Sequence, residues 1–546
     1  MSKITFRVFT CCLLFICLGN SAPAQHSSVV TGESLAKVKN SITDKLKSPS
    51  RFDLDRQRNM HIVESSGAKA QAQESSDVQP IPFEEGDQAP NIVVIFNDDQ
   101  GYQDLGCFGS PNIKTPRVDQ MAAEGIKFTS FMVASSVCSP SRAALLTGCY
   151  PNRVGVPSVL FPNRGTGGLP PEQVTIAEIL KTVGYNTAAV GKWHLGDERK
   201  YLPTNQGFDS YYGIPYSNDM FPASTMKYAD DCVFREGQSH DTLKEAFAGK
   251  LSKGNPVSMK QKVPLMRGEE CIEFPADQTT ITRRFTDEGI HFISESVKEE
   301  KPFFLYLAHS MPHIPLYVSP EFNKKSKGGL YGDVIEEIDF NTGRILDHLK
   351  TLGIEENTLV IFTSDNGPWL VMKENGGSAL PLFEGKMTCF EGGQRVPCVM
   401  KWPSRIPAGT VCDELAATID LLPTFAAITG AALPTVQPLD GKDILGLLTN
   451  QPGAKTPHQY FFYKQNAVRH GDWKYHSKEQ FKVKETARPT QGPTLYNLKD
   501  DIGESNNVID KYPEIAAHLA KVLESNPNKR IGDQKRNSNN KKEKKK

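Results

Sequence analysis

Cys138-Ser139-Pro140-Ser141-Arg142, running into AALLTGCYP, brings a thiol, a helix start and a guanidinium together within five residues. Pro140 suits the first turn of a helix, where its missing N–H is not needed, and Gly148 suits the stop. That placement puts Cys138 at a helix N-terminus, where free amides and the peptide dipole favour negative charge. Arg142 adds a fixed cation one turn on. Together they would hold an anion beside a reactive side chain. Taken alone, so short a spacing also describes a buried cysteine ahead of an ordinary Ala/Leu-rich helix.

Other parts of the chain deliver chemistry in a shared way. The apolar run NIVVIF is followed by Asn97-Asp98-Asp99-Gln100, and LVIFT by Ser364-Asp365-Asn366-Gly367. TAAV is followed by Gly191-Lys192-Trp193-His194, and FFLYLA by His309-Ser310-Met311-Pro312-His313. In open α/β sheets ligands bind beyond the carboxyl ends of the strands, so four runs would converge acids, amides, a lysine and histidines on one edge. Asp98, Asp99, Asp365 and Asn366 form an oxygen-only donor set that suits Ca²⁺ or Mg²⁺ and not zinc. Alternation along an extended segment predicts Lys192 and His194 on one side, with Trp193 opposite.

These groups need a scaffold, and the spacing predicts one. The runs are short and rich in β-branched residues, the pattern of strands buried on both faces. Helical stretches at 117–124, 175–182, 280–298 and 332–352 separate them, which argues for an α/β domain around a largely parallel sheet. A run at 400–402 and a helix at 420–428 complete it. After Gly430, short strands at 460–463, 467–475 and 494–498 and a helix at 513–523 predict a smaller antiparallel sheet with one helix. The expected division is 1–24 leader, 25–88 polar arm, 89–430 α/β domain, 431–525 C-terminal α+β subdomain and 526–546 basic tail.

CSPSRAALLTGCYPNRVG resembles the signature of the type I sulfatases, and the family's other motifs follow in order. They are GKWHLG, NQGFDSYYGIPYSND, VPLMRGEECIEFPAD, HSMPHIP, EGKMTCFEGGQRVP and LYNLKDDIGESNNV, a match running from about Asn91 to Leu523. GIPYSND places the chain nearest the branch of arylsulfatase A and N-acetylgalactosamine-6-sulfatase. The resemblance implies an alkaline-phosphatase-like sandwich and hydrolysis of sulfate esters of glycans or aryl alcohols. It implies that a maturation enzyme oxidises Cys138 to formylglycine, and that Ca²⁺ is completed by that residue and the sulfate oxygens. Arg142, Lys192 and Lys386 then neutralise the sulfate, and His194 touches the nucleophile. His313 lies beside the leaving group, and His309 falls to a structural role. A hydroxyl of the aldehyde hydrate attacks sulfur, and loss of a proton from the second hydroxyl to His194 expels sulfate. The stretch 230–261, polar and Lys-rich, departs from the family pattern and reads as a surface insertion near the substrate entrance.

The 546 residues carry a formal net charge of zero, so no overall field points to nucleic acid. The start MSKITFR, an apolar run of about a dozen residues and Ser21-Ala22-Pro23-Ala24 read as an export leader cleaved after Ala24, too short to span a bilayer. No other segment is apolar enough for a span. Three of the 11 cysteines (Cys11, Cys12 and Cys17) leave with the leader; Cys232 and Cys271 could bracket one loop, but spacing sets no pairing. Two alternatives stand beside the sulfatase reading. A phosphoesterase of the same superfamily would carry two zinc ions with several His ligands, and a non-catalytic sulfated-glycan binder would have lost the nucleophile or a lysine.

Overall fold

The computed structural model describes residues 89–249, 259–477 and 492–528, all within one unit, Gln79–Lys546. The expected leader, the polar arm and the Lys-rich stretch 535–546 lie outside these residues. Twelve strands form the larger sheet: β1 (Asn91–Asn97), β2 (Ile126–Met132), β3 (Asn186–Lys192), β4 (Ser210–Ile214), β5 (Lys227–Phe234), β6 (Leu265–Arg267), β7 (Glu270–Phe274), β8 (Phe303–Ala308), β9 (Thr358–Ser364), β10 (Arg395–Lys401), β11 (Thr410–Cys412) and β12 (Ala416–Ala417). Their order is β11-β2-β10-β9-β1-β8-β3-β4-β6-β7-β5, with β12 paired to β2. The centre is parallel, from β9 through β1, β8 and β3 to β4. Antiparallel pairs enter at β10 and at β6.

Burial on both faces explains why the central strands read as unbroken apolar runs. Ile92, Val94 and Phe96 join Phe304 and Tyr306 in one core, while Val93 and Ile95 join Phe303, Leu305 and Leu307 in the other. The helix Leu421–Thr429 closes the first core with Leu421, Leu422 and Phe425; Ile281–Lys298 closes the second with Ile281, Phe285 and Ile293. Truncating a ring such as Phe304 to alanine would cost about 3–5 kcal/mol. Parallel pairing also carries the C-terminal ends to one edge, with Asn97 opposite Ser364 and Gly191 opposite Ala308.

The second sheet is an antiparallel meander of β13 (Phe461–Tyr463), β14 (Ala467–His470), β15 (Trp473–His476) and β16 (Thr494–Asn497). Leu519 and Leu523 of the helix Pro513–Glu524 pack on Val468 and Leu495, in a core shared with Ala144 and Ile419.

Several expectations change. The single strand at 467–475 is two, because the chain turns at Gly471-Asp472. Asn526 and Asn528, which the expected division puts in the tail, are buried. Asn526 Nδ2 donates to the Lys464 carbonyl at 2.7 Å, and Asn528 Oδ1 accepts from the Asn152 amide at 3.2 Å. Part of the stretch 230–261 belongs to the sheet: it contributes the end of β5, an edge strand parallel to β7, and then the helix His240–Gly249. Cys232 and Cys271 face one another there with Sγ atoms 4.0 Å apart, both as thiols.

Candidate active site

The helix Cys138–Thr147 starts at the cysteine and stops at Gly148, whose φ of +68° is the left-handed cap that glycine takes without strain. All ten of its residues are buried. Its N-terminus lies against the ends of β1 and β9, which are tied together. The Asp365 amide donates to the Asn97 carbonyl at 2.9 Å, the Asp99 amide to Asp365 Oδ1 at 3.1 Å, and the Gln100 amide to Ser364 Oγ at 2.9 Å. Asp99 has φ +66°, a turn that lets two successive carboxylates reach the same centre.

Carboxylates and cations interleave around Cys138. Its Sγ lies 3.4 Å from Asp98 Oδ1 and 3.6 Å from Lys386 Nζ. Lys192 Nζ meets Asp98 Oδ2 at 2.5 Å. Lys386 Nζ spans both oxygens of Asp99 at 2.6 and 2.7 Å and lies over the Trp369 ring. Arg142 binds Asp365 Oδ2 through Nη2 at 2.7 Å and Nε at 2.9 Å, and its Nη1 donates to the Lys192 carbonyl at 2.9 Å. Lys192 arrives past Gly191, where φ is +106° and a Cβ would fall 1.9 Å from the Ala308 carbonyl oxygen. Only glycine lets β3 approach β8 this closely.

These charges set one another's protonation. Burial alone would raise the Asp98 carboxyl, but Lys192, His313, Arg142 and Lys386 together hold it well below the usual range. Asp365 is pushed up to about 7 by burial and by the charge of Asp98, against the pull of Arg142. Burial and Asp98 push the Cys138 thiol upward, so it stays protonated. Two adjacent carboxylates in a dry site favour a cation between them.

The donor set fits a hard metal ion. Ligand atoms of Asp98, Asp99, Cys138 and Asp365 all lie within 4.8 Å of one another, and three of the four are carboxylate oxygens. Asn366 Nδ2 donates to Asp99 Oδ1 at 2.7 Å, while Asn366 Oδ1 is buried with no hydrogen-bond partner among the described residues. An orphaned amide oxygen beside three carboxylates matches Ca²⁺ coordination.

Two histidines border the cluster in defined tautomers. His313 Nδ1 faces two acceptors, Ile314 O at 2.6 Å and Asn218 Oδ1 at 3.1 Å, so it carries a proton. The orientation of Asn218 is fixed because its Nδ2 donates to Pro315 O at 3.0 Å. His313 Nε2 is then the atom that faces Ser217 Oγ at 3.5 Å and Asp99 Oδ2 at 3.7 Å. His194 Nε2 donates to Leu160 O at 3.0 Å, which leaves Nδ1 as an unprotonated, unpartnered nitrogen among the described residues. Burial, then Lys192 and Arg142, holds His194 well below the ordinary histidine value. His313 is lowered by burial and by Lys386.

All ten residues named from the sequence are buried, and contacts join Cys138, Arg142, Lys192, His313, Lys386, Asp98, Asp99, Asp365 and Asn366. His194 has φ +60°, so the backbone bends there and does not continue the extended alternation expected of Lys192-Trp193-His194. His309 makes no hydrogen bond from either ring nitrogen among the described residues, and burial lowers it to about 4. Ser217 escaped notice: its Oγ accepts from Lys192 Nζ at 3.3 Å and faces His313. It follows β4, whose sequence SYYGI is too short and too interrupted by glycine to stand out as a buried run.

Comparison with known proteins agrees with this geometry. The family model "Sulfatase" matches residues 90–431, and "N-sulphoglucosamine sulphohydrolase, C-terminal" matches 381–529. Arylsulfatase A of Homo sapiens is 38% identical over 444 residues, 77% of this chain and 83% of that protein. N-acetylgalactosamine-6-sulfatase of Canis lupus familiaris is 37% identical over 400 residues, 71% and 72% of the two. The solved structure of Ps i-CgsB in complex with k-i-k-neocarrahexaose superposes with a TM-score of 0.65 at 32% identity, covering 80% of this chain and 92% of that one. For the PsFucS1 sulfatase of Pseudoalteromonas sp. the TM-score is 0.67 at 30% identity, covering 80% and 90%. The chain belongs to the sulfatase family of sulfuric ester hydrolases.

Proposed function

We propose that this hydrolase releases inorganic sulfate from sulfated carbohydrates, or from aryl sulfates, after oxidation of Cys138 to formylglycine, with one Ca²⁺ held by Asp98, Asp99, Asp365 and Asn366. The observation that carries the proposal is the convergence of Arg142, Lys192 and Lys386 with three carboxylates around Cys138 Sγ. The sulfur of a sulfate ester is shielded by negative oxygens, so attack requires fixed positive charge outside it. Calcium, when bound, adds positive charge at the sulfate oxygens and favours ionisation of a neighbouring hydroxyl. The hydrated aldehyde supplies two hydroxyls on one carbon, so the sulfo group can be taken on one and released through the other.

The chain's own residues do the remaining work. Lys386 reaches the atom at position 138 directly, and Lys192 reaches it through Asp98; both present ammonium groups to the sulfate. Arg142 holds Asp365 in place and adds a third charge. His313 keeps its Nδ1 proton on Ile314 and Asn218, and in its imidazolium form Nε2 gives the second proton to the departing alcohol. Burial and Lys386 disfavour that form in the free site, so the negative charge of the bound sulfate is what holds the second proton. His194 Nδ1, its Nε2 fixed on Leu160, accepts the proton whose loss frees the sulfate. Ser217 orients Lys192 between them.

Relatives acting on N-acetylgalactosamine-6-sulfate and a structure holding neocarrahexaose support a carbohydrate substrate. The N-terminal pattern supports export with cleavage after Ala24, and a formylglycine-generating enzyme is the implied maturation partner. No helix among the described residues is long and apolar enough to cross a membrane. The test is sulfate release from a panel of sulfated oligosaccharides and aryl sulfates by matured protein, with Cys138→Ala as control. Sulfate release that depends on Cys138 is expected; equal release by the control, or release from no substrate, refutes the proposal.

A further inference from the structure

A cleft of about 360 Å³ lies between the residues just ahead of Cys138 and the turn that joins β13 to β14. Its wall includes Ser135 and Val137, the latter directly preceding Cys138, together with Val159, Lys464, Asn466 and Asn528. The volume falls in the range that takes a small ligand. Lys464 sits in the turn between β13 and β14 at φ +49° and is pinned there because its carbonyl accepts from Asn526 Nδ2 at 2.7 Å. Its Nζ donates to the Met387 carbonyl at 3.3 Å. Met387 follows Lys386, whose ammonium touches Cys138, and the Met387 amide donates to the Ser136 carbonyl at 2.9 Å. Lys464 is therefore tied to both segments that frame the reactive atom.

The charge of Lys464 has no carboxylate against it among the described residues. The cleft bordered by Lys227 and Arg199 differs, because those cations are neutralised by Glu270 and Glu269. Burial lowers the Lys464 ammonium below its ordinary value, which marks a cation short of a counter-charge. Three donor hydrogens and one carbonyl acceptor leave capacity for an anion. Around it, amides and two serine hydroxyls offer hydrogen bonds, while Pro151, Pro157 and Val159 offer an apolar face. Amide donors beside an apolar wall suit a sugar ring, and a lone ammonium suits a charged substituent on it.

Resting on the sulfatase reading above, we propose that this cleft binds the leaving-alcohol sugar and that Lys464 recognises a second anionic group on it, a sulfate or a carboxylate. Lys464 thus selects multiply charged glycans over singly sulfated, otherwise neutral substrates.

The test uses the full matured enzyme with three substrates: an aryl monosulfate with a neutral leaving group, a disulfated disaccharide, and a monosulfated disaccharide bearing a uronate. Lys464→Gln should lower the ratio of kcat/KM on the charged disaccharides to that on the aryl sulfate by about tenfold to a hundredfold, the usual worth of a charge-assisted hydrogen bond. Lys464→Arg should restore most of that ratio. Which disaccharide loses more identifies the anion as sulfate or carboxylate. An unchanged ratio, or one that Lys464→Arg lowers as far as Lys464→Gln, overturns the subsite while sulfatase activity stands. Wild-type enzyme that releases sulfate from none of the three overturns the sulfatase reading and the subsite with it.

Discussion

Glu391 offers a quantitative test of how the C-terminal sheet supports the active site. It opens the short helix Glu391–Gln394, five residues after Lys386, and is fully buried. Its Oε1 lies 2.9 Å from Lys474 Nζ on β15 and accepts from the Tyr463 hydroxyl at 2.6 Å. Its Oε2 faces Arg395 Nη1 at 3.5 Å and Arg469 Nη1 at 3.7 Å. Its amide donates to Glu504 Oε2 at 2.7 Å, and Glu504 Oε1 meets Lys474 Nζ at 3.0 Å. Burial alone would raise the Glu391 carboxyl, yet Lys474, Arg469 and Arg395 hold it well below the ordinary value. Glu391→Gln keeps the shape and removes the charge, leaving buried cations under-compensated. Breaking a buried pair in this way costs about 3–5 kcal/mol, a large fraction of a domain's usual 5–15 kcal/mol. With a urea dependence of about 3 kcal/mol per molar, the unfolding midpoint should fall by about 1–2 M at pH 7. The sign with pH follows from a depressed carboxyl. Its contribution is complete above the unfolded value near 4.3 and drains away as pH falls below it. The gap between wild type and variant should therefore narrow as pH falls from about 5 and go on narrowing below pH 3, because the folded carboxyl titrates well below the unfolded one. A gap under about 1 kcal/mol at pH 7, or one that stays constant down to pH 3, refutes the reasoning.

Other outcomes are equally open to measurement. Cys138→Ala should abolish sulfate release while leaving the denaturation midpoint within about 1 kcal/mol of the thiol form, and active preparations should contain a position-138 peptide lighter by one hydrogen sulfide less an oxygen. Calcium should raise the thermal midpoint of wild type, and Asp365→Ala should abolish that rise, read by scanning calorimetry with and without chelator. Ser217→Ala should lower kcat about tenfold, the worth of one hydrogen bond to an ammonium, with the melting profile retained. A Ser217 variant with wild-type kcat would remove that residue from the mechanism.

The fold and most of the site were legible because the central strands are buried on both faces. NIVVIF, FFLYLA and LVIFT stand out as apolar runs, and parallel pairing makes the residue after each run informative. Where that condition fails, reading fails too. β2, IKFTSFM, mixes lysine and serine into a strand whose burial alternates in its first half. β4 carries a glycine and ends at a proline, and with it Ser217 and Asn218 went unassigned. Lys386 was legible only through its motif: it sits on no strand end, and its contacts with Asp99 and Cys138 come from residues more than two hundred positions earlier. Lys464 lay hidden in a turn, where a lysine is ordinarily a solvated charge.

A ten-residue helix with every side chain withdrawn from solvent imposes an order on events. A second protein that modifies Cys138 must grip the segment around it, and a grip needs reachable backbone. Opening that helix in the finished molecule would uncover Ala143, Ala144, Leu145 and Leu146 and pull Arg142 off Asp365, breaking into the core. On the proposed maturation, enzymatic oxidation of the thiol would therefore belong to the interval between synthesis and folding. Chains that fold first would then be stranded as thiols, and the specific activity of a preparation would record a race finished before substrate arrives.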